Sequence, residues 1–307
     1  MIASARLTGQ YNRRPAIRDQ CWKPSATTKI LDRIGAGELG DVYRARDTRL
    51  GRTVAIKVPD ADVQAAGDRR EALLREARLA TALSHPNIAA LYEIGDEGGR
   101  LFLVFEFVPG EPLRRVIEGR PLNVRRAVDL ATQMADALAE AHAIEIVHGD
   151  LTADTVTVTP KGNAKILDFG FGEWKKAKSG RTGDGGFDHR TDIEALGALL
   201  FEMLTGRQPS EASSSLGASM PRELDGVVGK ALGAYAEGGY EAAATCAAEL
   251  RSIAAILDVR AASASAAEPA RVVPIKGMRR ERRSRIWIIL AVAAAVAALL
   301  AAAWELL

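Results

Sequence analysis

Residues 35–58 constrain the fold of this chain more tightly than any other stretch. Gly35-Ala36-Gly37-Glu38-Leu39-Gly40-Asp41-Val42 fits the pattern G-x-G-x-x-G-x-V. Glycines at that spacing let a backbone turn approach phosphate oxygens closely, because no Cβ stands in the way. Alone the pattern also suits dinucleotide-binding folds, in which a helix must follow. Here the next apolar run is Thr53 to Val58, β-branched and strand-like, and it holds Val54-Ala55-Ile56-Lys57. The glycines therefore belong to a hairpin, and Lys57 can neutralise phosphate oxygens that approach it.

The rest of residues 27–256 divides into two halves of different periodicity. Short strands are expected at Ile30, Ile34, Val42 and Tyr43, at Ile88 to Ile94, and at Leu101 to Val108 before the turn Pro109-Gly110. Between them Asp68 to Leu83 has helical spacing, with Leu73, Leu74, Ala77, Ala80 and Leu83 on or near one face. Farther on the pattern is helical. Asn123 is an N-cap for a helix through residues 124–143. Asp192 to Leu204, ending at Gly206, is apolar almost all round and should be buried. A third helix is expected from Tyr240 to Leu257. The expected class is α+β, with a small sheet-rich lobe followed by a larger helical one.

On these residues the chain resembles the bacterial serine/threonine protein kinases, over roughly residues 28–256. In that family the strand lysine pairs with a helix glutamate, and the resemblance implies Glu76 for that role, with Glu71 as runner-up. His85-Pro86-Asn87 looks like the family's turn after that helix. Phe105-Glu106-Phe107-Val108 resembles the hinge that holds adenine through backbone hydrogen bonds, with Phe105 at the back of the pocket. The implied nucleotide contacts are Gly35, Gly37, Gly40, Val42, Ala55, Lys57, Glu76, Glu106 and Val108, and the implied cofactors are ATP with Mg2+ or Mn2+.

The catalytic stretch is where the resemblance is incomplete. The family pattern H-R-D-L-K-P-x-N gives the Asp to the substrate hydroxyl, the Lys to the moving phosphoryl group and the Asn to a metal. His148, Asp150 and Leu151 keep their places, but Gly149 replaces Arg, Thr152 Lys, Ala153 Pro and Thr155 Asn. Asp168 of Asp168-Phe169-Gly170 matches the principal metal ligand, while Thr155 offers a hydroxyl, a poorer ligand than an amide carbonyl. Losing one positioned donor typically costs about 10² to 10³ in rate. Binding is thus better preserved than chemistry.

From Asp168 the chain reaches Asp192 in only 24 positions, without the A/S-P-E motif that ends the family's activation segment. That motif's glutamate normally pairs with an arginine in a stretch matching Glu237-Gly238-Gly239-Tyr240, where Gly239 stands at the arginine's place. Losing both partners of a buried pair can be nearly neutral, whereas losing one is costly. The region after Gln208-Pro209 is also short. Ser179 and Thr182 are the only hydroxyls between Gly170 and Asp188, which argues against a phosphorylation switch there.

Residues 286–304, IWIILAVAAAVAALLAAAW, carry no charge and have a Trp near each end. A helix of that length measures about 28 Å, close to the roughly 30 Å hydrocarbon core of a membrane. The arginine-rich run at 279–285 favours a cytoplasmic flank. The expectation is a transmembrane helix at 286–304 after a linker at 257–285, with the domain on the cytoplasmic side of a cell membrane. An Ala-rich core helix is the competing reading. Residues 1–26 read as a disordered leader without a secretory signal.

Composition excludes little else. The net charge of +2 is too small to argue for a nucleic-acid partner, and Cys21 and Cys246 form neither a disulfide framework nor a metal-ligand pattern. Three readings remain: a nucleotide-binding pseudokinase that regulates or scaffolds a protein partner, an active kinase with Asp150 as base, and a decayed relic that binds neither nucleotide nor partner, against which the intact nucleotide-contacting elements argue.

Overall fold

The computed structural model describes residues 27–37, 39–172, 174, 188–210, 216, 220–233, 239–267 and 289–296. The leader at 1–26, the two hydroxyls Ser179 and Thr182, and most of 286–304 lie outside the described residues.

The first lobe is a five-stranded antiparallel sheet in the order β1-β2-β3-β5-β4, from β1 (Thr28–Gly37), β2 (Gly40–Asp47), β3 (Arg52–Val58), β4 (Leu91–Glu97) and β5 (Arg100–Glu106). The β-branched run of β3 sits in the middle, and Val54 to Val58 are all buried. Two-residue alternation sorts its side chains. Val54, Ile56 and Val58 join Tyr43, Ala45, Phe102 and Val104 on one face. Ala55 lies on the other with Leu101, Leu103 and Phe105. Lys57 shares that second face, paired in register with Val42 on one side and Leu103 on the other. A slip of one residue would turn it to the opposite face.

Two helices, α1 (Ala61–Ala65) and α2 (Gly67–Ala80), link β3 to β4, and α2 buries Leu73, Ala77 and Ala80 against the second face. β4 begins at Leu91, three residues later than expected, because Ile88 makes a parallel bridge to Ile166 instead. Likewise β5 ends at Glu106, so Phe107 and Val108 belong to the connection that follows.

The second lobe begins with a small sheet, β6 (Glu111–Pro112), β7 (Val156–Val158) and β8 (Ala164–Ile166), and with α3 (Leu113–Ile117). Its core is built around α4 (Val124–His142), α5 (His189–Thr205), α6 (Arg222–Ala231) and α7 (Ala243–Ala267). Asn123 caps α4 as expected, its side chain accepting from the backbone N–H groups of Arg125 and Arg126. α5 starts three residues before the expected Asp192, with Asp188 as its cap.

Residues 257–267, at the start of the expected linker, are helical and continue α7. Its Ala-rich composition is a strong helix former, so small residues there favour helix rather than coil. Residues 289–296 are helical and exposed, and form part of a separate compact unit. Among the described residues no helix is long and apolar enough to cross a membrane.

Candidate functional site

The glycine-rich turn joins β1 to β2, with Gly35 opposite Val42 and Gly37 opposite Gly40. Gly40 is required by its backbone: φ is +111°, and a Cβ would stand 2.0 Å from the Val58 carbonyl oxygen. Leu39 at the turn is buried in the same apolar group as Ala55, Leu73 and Phe105. The turn thus folds over the face that carries Lys57.

Lys57 Nζ donates to Asp168 Oδ1, and both side chains are nearly buried, at 10% and 12% exposure. The expected phosphate-neutralising cation and the expected metal ligand meet directly. Lys57 lies 5.3 Å from the centre of the Phe105 ring. Glu76, implied as its partner, is half-buried on α2 beside Leu73 and Ala77, whereas Glu71 is exposed. Asp168 has φ +56°, a left-handed conformation that Asp tolerates better than most residues.

The hinge is pinned from behind. The Glu106 backbone N–H donates to the Ala90 carbonyl at 2.8 Å, and its carboxylate accepts from Lys165 Nζ at 2.6 Å. Val108 is half-buried just beyond it.

In the catalytic stretch His148 is fully buried. Its Nε2 donates to the Leu167 carbonyl at 3.0 Å and its Nδ1 accepts from the Asp150 N–H at 3.1 Å. One tautomer satisfies both bonds and fixes the backbone at Asp150. Thr155 Oγ1 accepts from the Thr152 N–H at 2.9 Å and lies 3.1 Å from the Thr152 carbonyl and 3.4 Å from that of Asp150. The hydroxyl expected at a metal position is engaged in bracing the loop. Among the described residues no cluster of three or more His, Cys, Asp or Glu could hold a metal ion. Asp168 is a single carboxylate, which suits an ion such as Mg2+ that takes one or two carboxylates together with substrate phosphates.

Asp192, buried at the start of α5, holds this loop from below. Its carboxylate accepts from the N–H groups of His148 and Gly149 and bonds His142 Nε2, each at 2.8 Å. With φ +74° at Gly149, the loop takes a path that a residue bearing a Cβ adopts only under strain.

The protein kinase domain profile matches residues 28–226. This chain belongs to the protein kinase family. It is 31% identical over 233 residues to the serine/threonine-protein kinase PrkC of Bacillus subtilis, covering 70% of this chain and 33% of PrkC. It is 33% identical over 210 residues to PknA of Mycobacterium tuberculosis, covering 61% of this chain and 48% of PknA. The chain thus spans a third to a half of the length of these two relatives. In fold it resembles the kinase domain of Mycobacterium tuberculosis PknI, with a TM-score of 0.61, 23% identity, and coverage of 74% of this chain and 96% of that one.

Within this kinase domain the structure adds residues that sequence reasoning missed. Phe171, fully buried, and Trp174, 3% exposed, leave the Asp168-Phe169-Gly170 turn and enter the apolar group of the first lobe. The Phe171 ring meets Phe105 edge-on at 6.0 Å. Phe169 points the other way, into the helical core and against His148 at 5.0 Å. Alternation of large apolar residues around glycines was the available signal. A second missed group lies beside Gly239, where Tyr240 OH donates to Glu249 at 2.7 Å and Lys230 Nζ donates to the same carboxylate at 2.9 Å. Burial pushes the Glu249 carboxyl up, but the Tyr240 hydroxyl and Lys230 together hold it below its ordinary value. These bonds tie α6 to α7 near the place where the family's arginine is replaced by Gly239.

Proposed function

We propose that this chain is a nucleotide-binding member of the serine/threonine kinase family in which phosphate transfer is weak or lost, acting as a pseudokinase regulator or scaffold for a protein partner. The catalytic loop carries this reading. Lys57, Asp150 and Asp168 keep the residue types that hold and orient a nucleotide, but Thr152 brings no positive charge and the Thr155 hydroxyl is bonded into the loop. ATP with Mg2+, or with Mn2+, is the ligand that Lys57 and Asp168 suit, with Gly35, Gly37 and Gly40 near the phosphates and the Glu106–Val108 backbone near the base. A metal bound at Asp168 supplies neutralisation of phosphate charge. Of the chain's own groups, Asp150 would orient a hydroxyl, with its backbone fixed through His148.

The second reading is an active serine/threonine protein kinase. The similarity to proteins named serine/threonine-protein kinases and the preserved bracing of Asp150 favour it. Thermal-shift titration of the full-length chain with ATP, with and without Mg2+ or Mn2+, tests the binding common to both readings. Absence of stabilisation by any nucleotide would remove both. Phosphate transfer to a generic protein, lost in Asp150→Asn, would favour the active enzyme over the pseudokinase.

Residues 286–304 are proposed to anchor the chain in a membrane, with the kinase domain on the cytoplasmic side of the arginine-rich run at 279–285. Deleting 286–307 is expected to move the protein from the membrane pellet to the supernatant. Continued sedimentation with membranes would overturn the anchor.

A further inference from the structure

We propose that the stacked rings of His142 and His189, with Glu145 beside them, form an acid-sensitive latch on the catalytic loop. Charging both rings releases His189 toward Glu145 and loosens the grip of Asp192 on His148 and Gly149. The latch lies beneath the loop and works with or without a nucleotide.

His142 closes α4 and His189 opens α5. Their rings lie nearly parallel, with centres 4.3 Å apart and planes 9° apart. His142 Nε2 donates to Asp192 Oδ2 at 2.8 Å, and the same carboxylate accepts from the N–H groups of His148 and Gly149. With the hydrogen on Nε2, the neutral His142 ring leaves a lone pair at Nδ1. That atom is buried and has no hydrogen-bond partner among the described residues. A proton taken up there puts a cation against the Asp192 carboxylate, which is 1% exposed.

Glu145 supplies the other half of the device. It stands in the turn after α4 at φ +59°, a left-handed conformation disfavoured for any residue with a Cβ. Glycine would fit that backbone without strain, so what Glu145 brings to the position is its carboxylate. The side chain is exposed, and its Oε2 lies 3.7 Å from His189 Nε2, just beyond hydrogen-bonding distance. A modest swing of the His189 ring closes that gap.

Among the described residues, Asp192 of α5 and Glu145 are the carboxylates in contact with the pair. Asp188 and Arg190 flank His189 in sequence, and Asp188 caps α5. The His148 ring is engaged with the Leu167 carbonyl and the Asp150 N–H. The other charges on or against α4 are occupied elsewhere: Arg125 with Asp129 and Asp258, Asp136 with Arg251, and Lys165 with Glu106. Glu140 acts on His85.

Histidine changes charge between about pH 5 and 8. The stack accommodates one proton, as a cation lying on a neutral ring. Two cations at that spacing repel, and the positive end of α5 adds to the repulsion. The second proton therefore parts the rings. His189 swings to Glu145, the first turn of α5 loses its hold on α4, and Asp192, three positions on, lets go of the loop amides. Opening takes up a proton, so acid favours it, by at most about tenfold per pH unit.

The test is amide hydrogen exchange of the full-length chain between about pH 8 and about pH 5.5. Mass spectrometry follows the peptide spanning 144–152, each rate being divided by the intrinsic rate at that pH. Protection in wild type is expected to fall about tenfold or more across the range. His189→Phe keeps a stacked ring that cannot be charged, and there the fall is expected to vanish. In Glu145→Gln the fall is expected at lower pH, because the charged ring has lost its acceptor. His85 is intact in all three proteins, so its own acid effect cancels in the comparison. Flat protection in wild type, or an equal fall in wild type and in natively folded His189→Phe, would overturn the latch. If His189→Phe does not fold, Glu145→Gln decides, and an unmoved midpoint there would overturn it as well.

Discussion

Asp192 shows how much one side chain can organise. It accepts from two consecutive backbone N–H groups, of His148 and Gly149, and from His142. Asp192→Ala strands those three donors, each at a cost of about 1–3 kcal/mol, so a loss of at least about 3 kcal/mol in unfolding free energy is expected from chemical denaturation. Thr152 is a different case. Its contribution to the loop runs through its N–H, bonded to Thr155 Oγ1, and any residue but Pro keeps that bond. Thr152→Lys should therefore fold normally and raise residual phosphate transfer by about 10². Transfer measured beside Asp150→Asn checks this. His85 makes the acid side of the stability profile visible. Burial lowers its pKa below the ordinary 6.5, and its Nδ1 accepts from the Asn87 N–H, a bond available only to the ring unprotonated there. The folded pKa is depressed, so the unfolded chain takes up the proton first and stability falls as pH drops below about 6.5. Denaturation midpoints in His85→Asn should decline less over that window than those of wild type.

At the scale of elements, the group around α6 and α7 yields its own expectation. Burial pushes the Cys246 thiol up to about 12, with Glu249 adding to it. In a Cys21→Ser background Cys246 should resist alkylation at pH 8 in the native state and react on unfolding, followed by mass spectrometry. The same scale shows what the sequence could reveal. The continuous β-branched run of β3, the Asn123 cap and the apolar periodicity of α4 and α5 are local patterns, and they lie near where local physics puts them. Strands of two or three residues such as β6, β7 and β8, and five-residue helices such as α1 and α3, are too short to show a period. The Ala-rich extension of α7 was ambiguous because small residues suit both linker and helix. At the site, residue types identified Lys57 and Asp168, but they stand 111 positions apart. Which partner each takes depends on lobe geometry, and no local pattern encodes it. Phe171 and Trp174 were hidden for the same reason.

Across the whole molecule, the two lobes meet at an isolated parallel bridge between Ile88 and Ile166. The Ala89 N–H donates to the Ile166 carbonyl at 2.9 Å and the Ile166 N–H to the Asn87 carbonyl at 2.8 Å. The Asn87 side chain adds bonds to Gln133 and to the Ala164 carbonyl. Lobes joined in this way should melt together, with calorimetric and van't Hoff enthalpies in a ratio near one. Asn87→Ala is expected to raise that ratio above one by loosening the seam. The seam also governs time. Lobes held at this bridge and by the Asn87 side chain are restrained from swinging wide, so a ligand must wait for a small local opening. In rapid-mixing experiments the capture rate should then reach a ceiling as ligand concentration rises, set by how often the molecule opens by itself.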